Sequence, residues 1–218
     1  LGETTDSYDA DGELVDSMPV PPLSLNDLNE AAVAFTGDIL QTPPMVSAVK
    51  IGGTPLYKLA RKGQEVARVP RPIHVYTYRF DDYEEPFAYF RVSCTKGTYI
   101  RSLARDIAIA LGTVGHVSML RRVKAGSFTL EGAISLDILD EHATARSLGD
   151  LVLPLRTALD DIPALALEAG QAAALRKGRV LSGVAAPNGL HLATLAEVPV
   201  ALVDVQQGTV TVERGFNL

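Results

Sequence analysis

Two runs that alternate with period two, residues 72–80 (PIHVYTYRF) and 86–94 (PFAYFRVSC), flank the acidic segment Asp81-Asp82-Tyr83-Glu84-Glu85, and they constrain the fold more than any other feature. Alternation sends apolar and polar side chains to opposite faces of an extended strand, so the runs predict an antiparallel β-hairpin with one buried face and an acidic turn. The second run leads directly into Lys96-Gly97-Thr98. Beyond it, Ile100, Leu103, Ala104, Ile107 and Leu111 recur at helical spacing and Gly112 supplies a stop, which predicts a helix over 99–111. A hairpin, a glycine turn and an amphipathic helix in succession predict an α+β fold with a mixed, largely antiparallel sheet, rather than a doubly wound parallel one.

The flanking segments read consistently with that class. Residues 1–22 are polar, acidic and proline-punctuated, and predict a loop followed by a short strand. Ser24 and Asp27 form a capping-box pattern ahead of Leu25, Leu28, Ala32 and Phe35, predicting a helix over 24–36 that stops at Gly37. After Pro43-Pro44 the sequence predicts a strand over 45–51, a tight turn at Gly52-Gly53 and a short helix over 55–62. A further strand is expected over 117–130 and a short helix over 135–142. Pro154 to Pro163 has the composition of a hinge. Residues 1–155 are therefore expected to form a main domain, and 164–218, with one helical and three strand-like runs, a small β-rich one.

No apolar run approaches the roughly 18–20 residues of a membrane span, and no basic-then-apolar leader opens the chain. Cys94 is the only cysteine, which excludes an internal disulfide framework and Cys-based zinc sites and points to a reducing cytoplasm. Its alternating strand context suits packing. The net charge of −6 conceals a strong asymmetry. Residues 1–49 hold nine acids and no Lys or Arg, residues 50–130 hold fourteen Lys/Arg against six acids, and residues 131–218 hold six against eleven. A central basic excess suits either a solvated face or an anionic partner such as RNA.

The candidate functional residues lie in that basic third. Gly97 permits close approach of a ligand, and Lys96 with a new helix N-terminus suits an anion, although the order Lys-Gly-Thr is not that of a nucleotide P-loop. Tyr99 and Arg101 share one side if the backbone there is extended. That suits an aromatic ring stacked on a base and a guanidinium paired with a carboxylate or phosphate, but equally a helix staple and an ion pair to Asp106. His116, Arg121, Arg122 and Lys124 would line a basic strand beside Met119 and Leu120. Lys50 suits a phosphate contact or plain solvation. No two of the four histidines stand at metal-ligand spacing, and no HExxH or Cys/His cluster occurs, so no metal is expected.

Four blocks, LGETTDSYDADGE, QTPPMVSAVKIGGTPLYKLARKGQEV, VPRPIHVY and SCTKGTYIRSLARDIAIALGTVGHVSMLRRVKAGSF, resemble in order the bacterial tRNA pseudouridine synthase B family over roughly residues 1–130. The segment from about Leu165 resembles, more weakly, the small PUA-like β domain found in members of that family. The resemblance implies isomerisation of the T-loop uridine of tRNA without a cofactor, with the tRNA T-stem-loop as partner; no protein partner is implied, and no membrane role is expected. An Asp attacks the nucleoside, the glycosidic C–N bond breaks, the base rotates and a C–C bond forms. By family position Arg101 pairs with the catalytic Asp, Tyr99 and Leu120 line the base pocket, and Lys50 stands near the site; Lys96, Arg121 and Arg122 are expected to contact RNA.

The family's nucleophile lies in a Gly-x-Leu-Asp-Pro-x-Ala-Thr-Gly block upstream of the LGETTD segment, and residues 1–218 contain no such block. Asp6, Asp9 and Asp11 belong to a different loop and are not expected to replace it. The chain thus resembles the later two-thirds of the enzyme, and alone is expected to be inactive. A non-catalytic RNA-binding module and an enzyme acting on a small nucleotide at the Lys96-Gly97-Thr98 turn are the alternative readings.

Overall fold

The computed structural model describes residues 1–217, so Leu218, the last residue of the expected C-terminal domain, lies outside the described residues. The chain divides into two compact units, Leu1–Leu120 and Arg121–Leu218. That division precedes the Pro154–Pro163 stretch.

The first unit opens with a hairpin of β1 (Glu3–Thr5) and β2 (Leu14–Ser17), whose connecting loop folds back on itself. Helix α1 (Leu25–Val33) follows, started by the reciprocal Ser24–Asp27 capping box. Strand β3 (Gly37–Gln41) comes next, then a small hairpin of β4 (Lys50–Ile51) and β5 (Thr54–Pro55), and helix α2 (Leu56–Ala60). The long strands β6 (Arg71–Glu84) and β7 (Phe87–Cys94) lead to α3 (Ile100–Ala110).

Strands β3, β6 and β7 form one antiparallel sheet in that order. Its inner face and the apolar stripes of α1 and α3 bury Leu28, Ala32, Ile73, Val75, Tyr78, Phe80, Leu103 and Ile107 in one core. Burial pushes the Tyr78 phenol above its ordinary range, with a smaller contribution from Asp106. Beside a register shift that follows Phe80, the Asn29 side chain of α1 bonds that residue's main chain: Nδ2 donates to the Phe80 carbonyl at 3.1 Å and Oδ1 accepts its N–H at 3.0 Å. The helix is thereby tied to the sheet at a bulge.

The second unit begins with a two-stranded ribbon, β8 (Lys124–Ala125) and β9 (Phe128–Thr129), and helix α4 (Leu136–Thr144), with 3₁₀ turns around them. None of the residues 121–164 is buried. The core of this unit lies in the remainder: β10 (Ala164–Ala166), α5 (Ala169–Arg176), β11 (Gly189–Leu195), β12 (Val198–Gln206) and β13 (Thr209–Gly215). The sheet order is β10-β11-β12-β13, parallel between the first two strands and antiparallel thereafter, and it packs with α5 around Leu175, Val203, Val205 and Val210.

The fold is α+β, as the alternation of patterns predicts. Three local readings are corrected. The acidic segment 81–84 belongs to β6, and the turn falls at Glu85-Pro86, because the outward side chains there remain solvated while Tyr83 still packs against the core. Met45–Val49 is not strand: only Lys50 and Ile51 pair, with Pro55 and Thr54, and the preceding residues turn so that Ser47 can bond the main chain of Met45 and Tyr57. The basic stretch 117–124 is not one strand either. Val117 makes a single bridge to Asp9, and residues 118–123 have no ladder partner among the described residues.

Candidate active site

The N-terminus of α3 is the meeting point of three segments. Thr95, at the end of β7, is fixed to β6 by main-chain and side-chain bonds with His74, and Gly97 then takes φ +86°, where a side chain would be strained, to turn the chain into the helix. Tyr99 precedes the first helical turn in extended conformation and offers no side-chain cap. The Gln41 side chain holds its main chain instead: Oε1 accepts the Tyr99 N–H at 2.8 Å and Nε2 donates to the Tyr99 carbonyl at 3.0 Å. One turn on, the buried Ser102 hydroxyl donates to the Thr42 carbonyl at 3.1 Å.

Arg101 projects from this start into the loop between β1 and β2. Its Nη1 donates to the Ser7 carbonyl at 3.0 Å, its Nη2 to the Val46 carbonyl at 2.9 Å, and its Nε stands 3.9 Å from Oδ2 of Asp9. The guanidinium is largely shielded, at 21% side-chain exposure, while the Asp9 carboxylate is more open at 37%. Both carbonyl bonds use one N–H of each terminal nitrogen, so each nitrogen keeps a second donor. An anchored guanidinium with two free donors and one acidic neighbour can hold a further carboxylate in fork geometry.

The Asp9 loop is equally fixed. The Thr5 hydroxyl both accepts the Asp9 N–H at 3.0 Å and donates to the Asp9 carbonyl at 2.7 Å. Val117 bridges the same loop, its N–H to the Tyr8 carbonyl and its carbonyl to the Ala10 N–H. Tyr8 takes φ +59°, an uncommon conformation for a side-chain-bearing residue, and the Arg105 guanidinium lies 4.9 Å over its ring. A Cβ at Gly12 would overlap the side chains of Ser7, Asp6 and Thr5, which would have to shift to admit it.

Of the residues anticipated from sequence, Tyr99 and Arg101 come together at this junction, although Arg101 pairs with Asp9, and Asp106 pairs with Arg105 instead. Lys50 is exposed on the β4–β5 hairpin and Lys96 is exposed in the turn before α3. Leu120 is exposed at the end of the first unit. Arg121 and Arg122 are exposed at the start of the second. Asp9 and Gln41 are not among the residues that the sequence points to. Asp9 is one of several acids in a polar loop, and Gln41 gives one local signal, a polar residue ending a strand just before Pro43-Pro44. Lys50 on β4, Lys58 in α2, and Arg61 and Lys62 just after α2 are four further cations, none with an acidic partner among the described residues.

The sequence matches two family models end to end: the N-terminal domain of TruB family pseudouridylate synthases over residues 1–100 and the C-terminal domain of tRNA pseudouridylate synthase B over 101–160. A tRNA pseudouridine synthase B from Novosphingobium aromaticivorans is 46% identical over 224 aligned residues, covering all of this chain and 73% of the relative. The corresponding protein of Zymomonas mobilis is 44% identical, with all of this chain and 71% of the relative covered. Among solved structures, the crystal structure of a Cbf5-Nop10-Gar1 complex superposes with a TM-score of 0.70 at 25% identity, over 91% of this chain and 64% of the matched one. The chain thus spans just under two thirds of that matched chain. With a fold shared at that level, and relatives of one kind aligned along the whole sequence, the chain belongs to the TruB family of pseudouridylate synthases.

Proposed function

We propose that the Arg101 junction is the electrostatic wall of a pocket in which a T-loop uridine of tRNA is isomerised to pseudouridine in the cytoplasm. The observation that carries the reading is the anchoring of Arg101 by two carbonyls and Asp9, which leaves donors free for a second carboxylate. That carboxylate is the reaction's nucleophile, supplied from the Gly-x-Leu-Asp-Pro block of the family, which residues 1–218 do not contain. Arg101 keeps it ionised and oriented while it attacks the nucleoside. As the C–N bond breaks, the guanidinium offsets the charge that shifts between carboxylate and base. Tyr99, Leu120 and the main chain of the α3 entry form the surface against which the extruded base stacks and turns before the C–C bond forms.

The unpaired cations Lys50, Lys58, Arg61 and Lys62, with Lys96, Arg121 and Arg122, contact the RNA backbone. They account for RNA affinity in a chain whose net charge is −6. Residues 164–218 act as a PUA-like RNA-binding domain. No cofactor or metal has a role in this scheme.

The test is tritium release from tRNA labelled at uracil C5. The complete enzyme, carrying these residues and the upstream block, releases tritium from a T-stem-loop, and residues 1–218 alone do not. Release by residues 1–218 alone would overturn the assignment of the nucleophile. No release by the complete enzyme from any tRNA would overturn the functional reading.

A further inference from the structure

We infer that Gln41 is a positioning residue for this reaction: its side-chain amide sets the start of α3, and through it the placement of Tyr99 and Arg101. The inference rests on the functional reading above. Three contacts join residues 41–46 to the α3 entry: Gln41 to Tyr99, the Thr42 carbonyl to Ser102, and the Val46 carbonyl to Arg101. On the 41–46 side the last two use main-chain carbonyls, which no substitution removes. From that segment Gln41 alone supplies side-chain hydrogen bonds to the α3 entry.

The chemistry at that position is specific. Tyr99 presents one peptide N–H and one carbonyl to the same neighbour, so its partner has to donate and accept at once, in one plane. A primary amide does both, a carboxylate only accepts, and an aliphatic chain does neither. Gln41 is 3% exposed and ends β3 at the register position opposite Arg71, so the strand delivers the amide at a fixed height against the helix entry. The fold uses the same device where Asn29 clamps Phe80, remote from the site. At Tyr99 the clamped main chain carries the aromatic ring itself and leads, two residues on, to the arginine of the proposed pocket. A shift of the clamp therefore moves both functional side chains together. Displacements on the order of 1 Å cost up to about a hundredfold in rate when reacting groups are pre-aligned.

The test uses the complete enzyme and single-turnover pseudouridine formation in tRNA. Gln41→Met keeps length and burial while removing both hydrogen bonds. Its kcat falls by about thirtyfold while KM for tRNA stays within about twofold, since the phosphate contacts are elsewhere. Ala32→Gly, in the α1 core, supplies a variant of reduced melting temperature with an intact site. If Gln41→Met loses no more kcat than Ala32→Gly, once compared at equal fractional folding, the inference is wrong.

Gln41→Glu carries the test if the methionine variant does not fold. Protonated, the introduced carboxyl donates and accepts as the amide does; ionised, it repels the Tyr99 carbonyl. Its kcat relative to the natural protein therefore rises as pH is lowered from about 8 to about 5.5, because burial raises a carboxyl pKa above its ordinary value. A ratio that stays flat across that range overturns the inference. An inactive natural enzyme would instead overturn the functional reading on which it rests.

Discussion

Arg101, one residue inside α3, and Asp9, in the loop between β1 and β2, face each other with Nε 3.9 Å from Oδ2. The arginine is held by the Ser7 and Val46 carbonyls, and the aspartate's main chain by the Thr5 hydroxyl. On the proposed reading, the anchored guanidinium beside Asp9 also holds the carboxylate of the nucleophile. Arg101→Ala therefore removes about 3 kcal/mol of transition-state stabilisation, more than a hundredfold in kcat, with little change in tRNA affinity. Filter binding and single-turnover rates on one preparation check this; equal losses in binding and turnover would count against the assignment.

Asp9→Asn keeps the shape of the loop and removes the charge beside Arg101. The expected result is a fall in kcat of about tenfold, smaller than for Arg101→Ala, because the two carbonyl bonds to the guanidinium persist. Combined with Arg101→Ala, it adds little further loss, and the double-mutant cycle measures that coupling.

Replacing Lys58, Arg61 and Lys62 together by alanine tests the unpaired cations of α2 and the residues after it. Each cation that no longer neutralises a phosphate lowers the slope of log affinity against log salt by about one. The triple variant is expected to bind T-stem-loop RNA more weakly at all salt concentrations, with a shallower slope, and to affect KM far more than kcat. An unchanged slope would remove these residues from the interface.

Asp27 predicts how acid acts on the first unit. The Ser24 hydroxyl, and then the Ser24 main-chain N–H, hold its carboxyl below the ordinary carboxylate range. A depressed folded pKa means the stabilisation is fully present above the unfolded value of about 3.9 and is lost as pH falls through the folded value. The melting temperatures of the natural protein and of Asp27→Asn should differ at neutral pH and converge in acid. Convergence on raising the pH instead would reverse the sign.

Leu103 is 1% exposed and packs between α3 and the sheet, in the helix that carries Arg101. Leu103→Ala is expected to lower unfolding free energy by about 3 kcal/mol, read from urea titration.

Local physical chemistry carries far in this sequence. The period of two around 72–94, the helical period over 99–111 and the Ser24–Asp27 box each express a preference that neighbouring residues satisfy among themselves, and the elements form where those patterns place them. The hairpin turn is less legible: Asp81 to Glu84 look like a polar turn, yet past a register shift at Asp81 the ladder with β7 resumes over Asp82 to Glu84, whose acidic side chains stay exposed. Arg91 even uses Asp81 as its partner across the ladder.

By itself, then, the sequence determined the α+β class, the helix and hairpin periods and the prominence of Tyr99 and Arg101. Only the tertiary structure decided which acid stands beside Arg101 and which side chain fixes Tyr99. Asp6, Asp9 and Asp11 are chemically alike along the chain, and Gln41 is separated from Tyr99 by most of the sheet. The choice among them depends on the closure of a loop against α3 and the end of a strand against its first turn, contacts between distant residues that no local periodicity encodes.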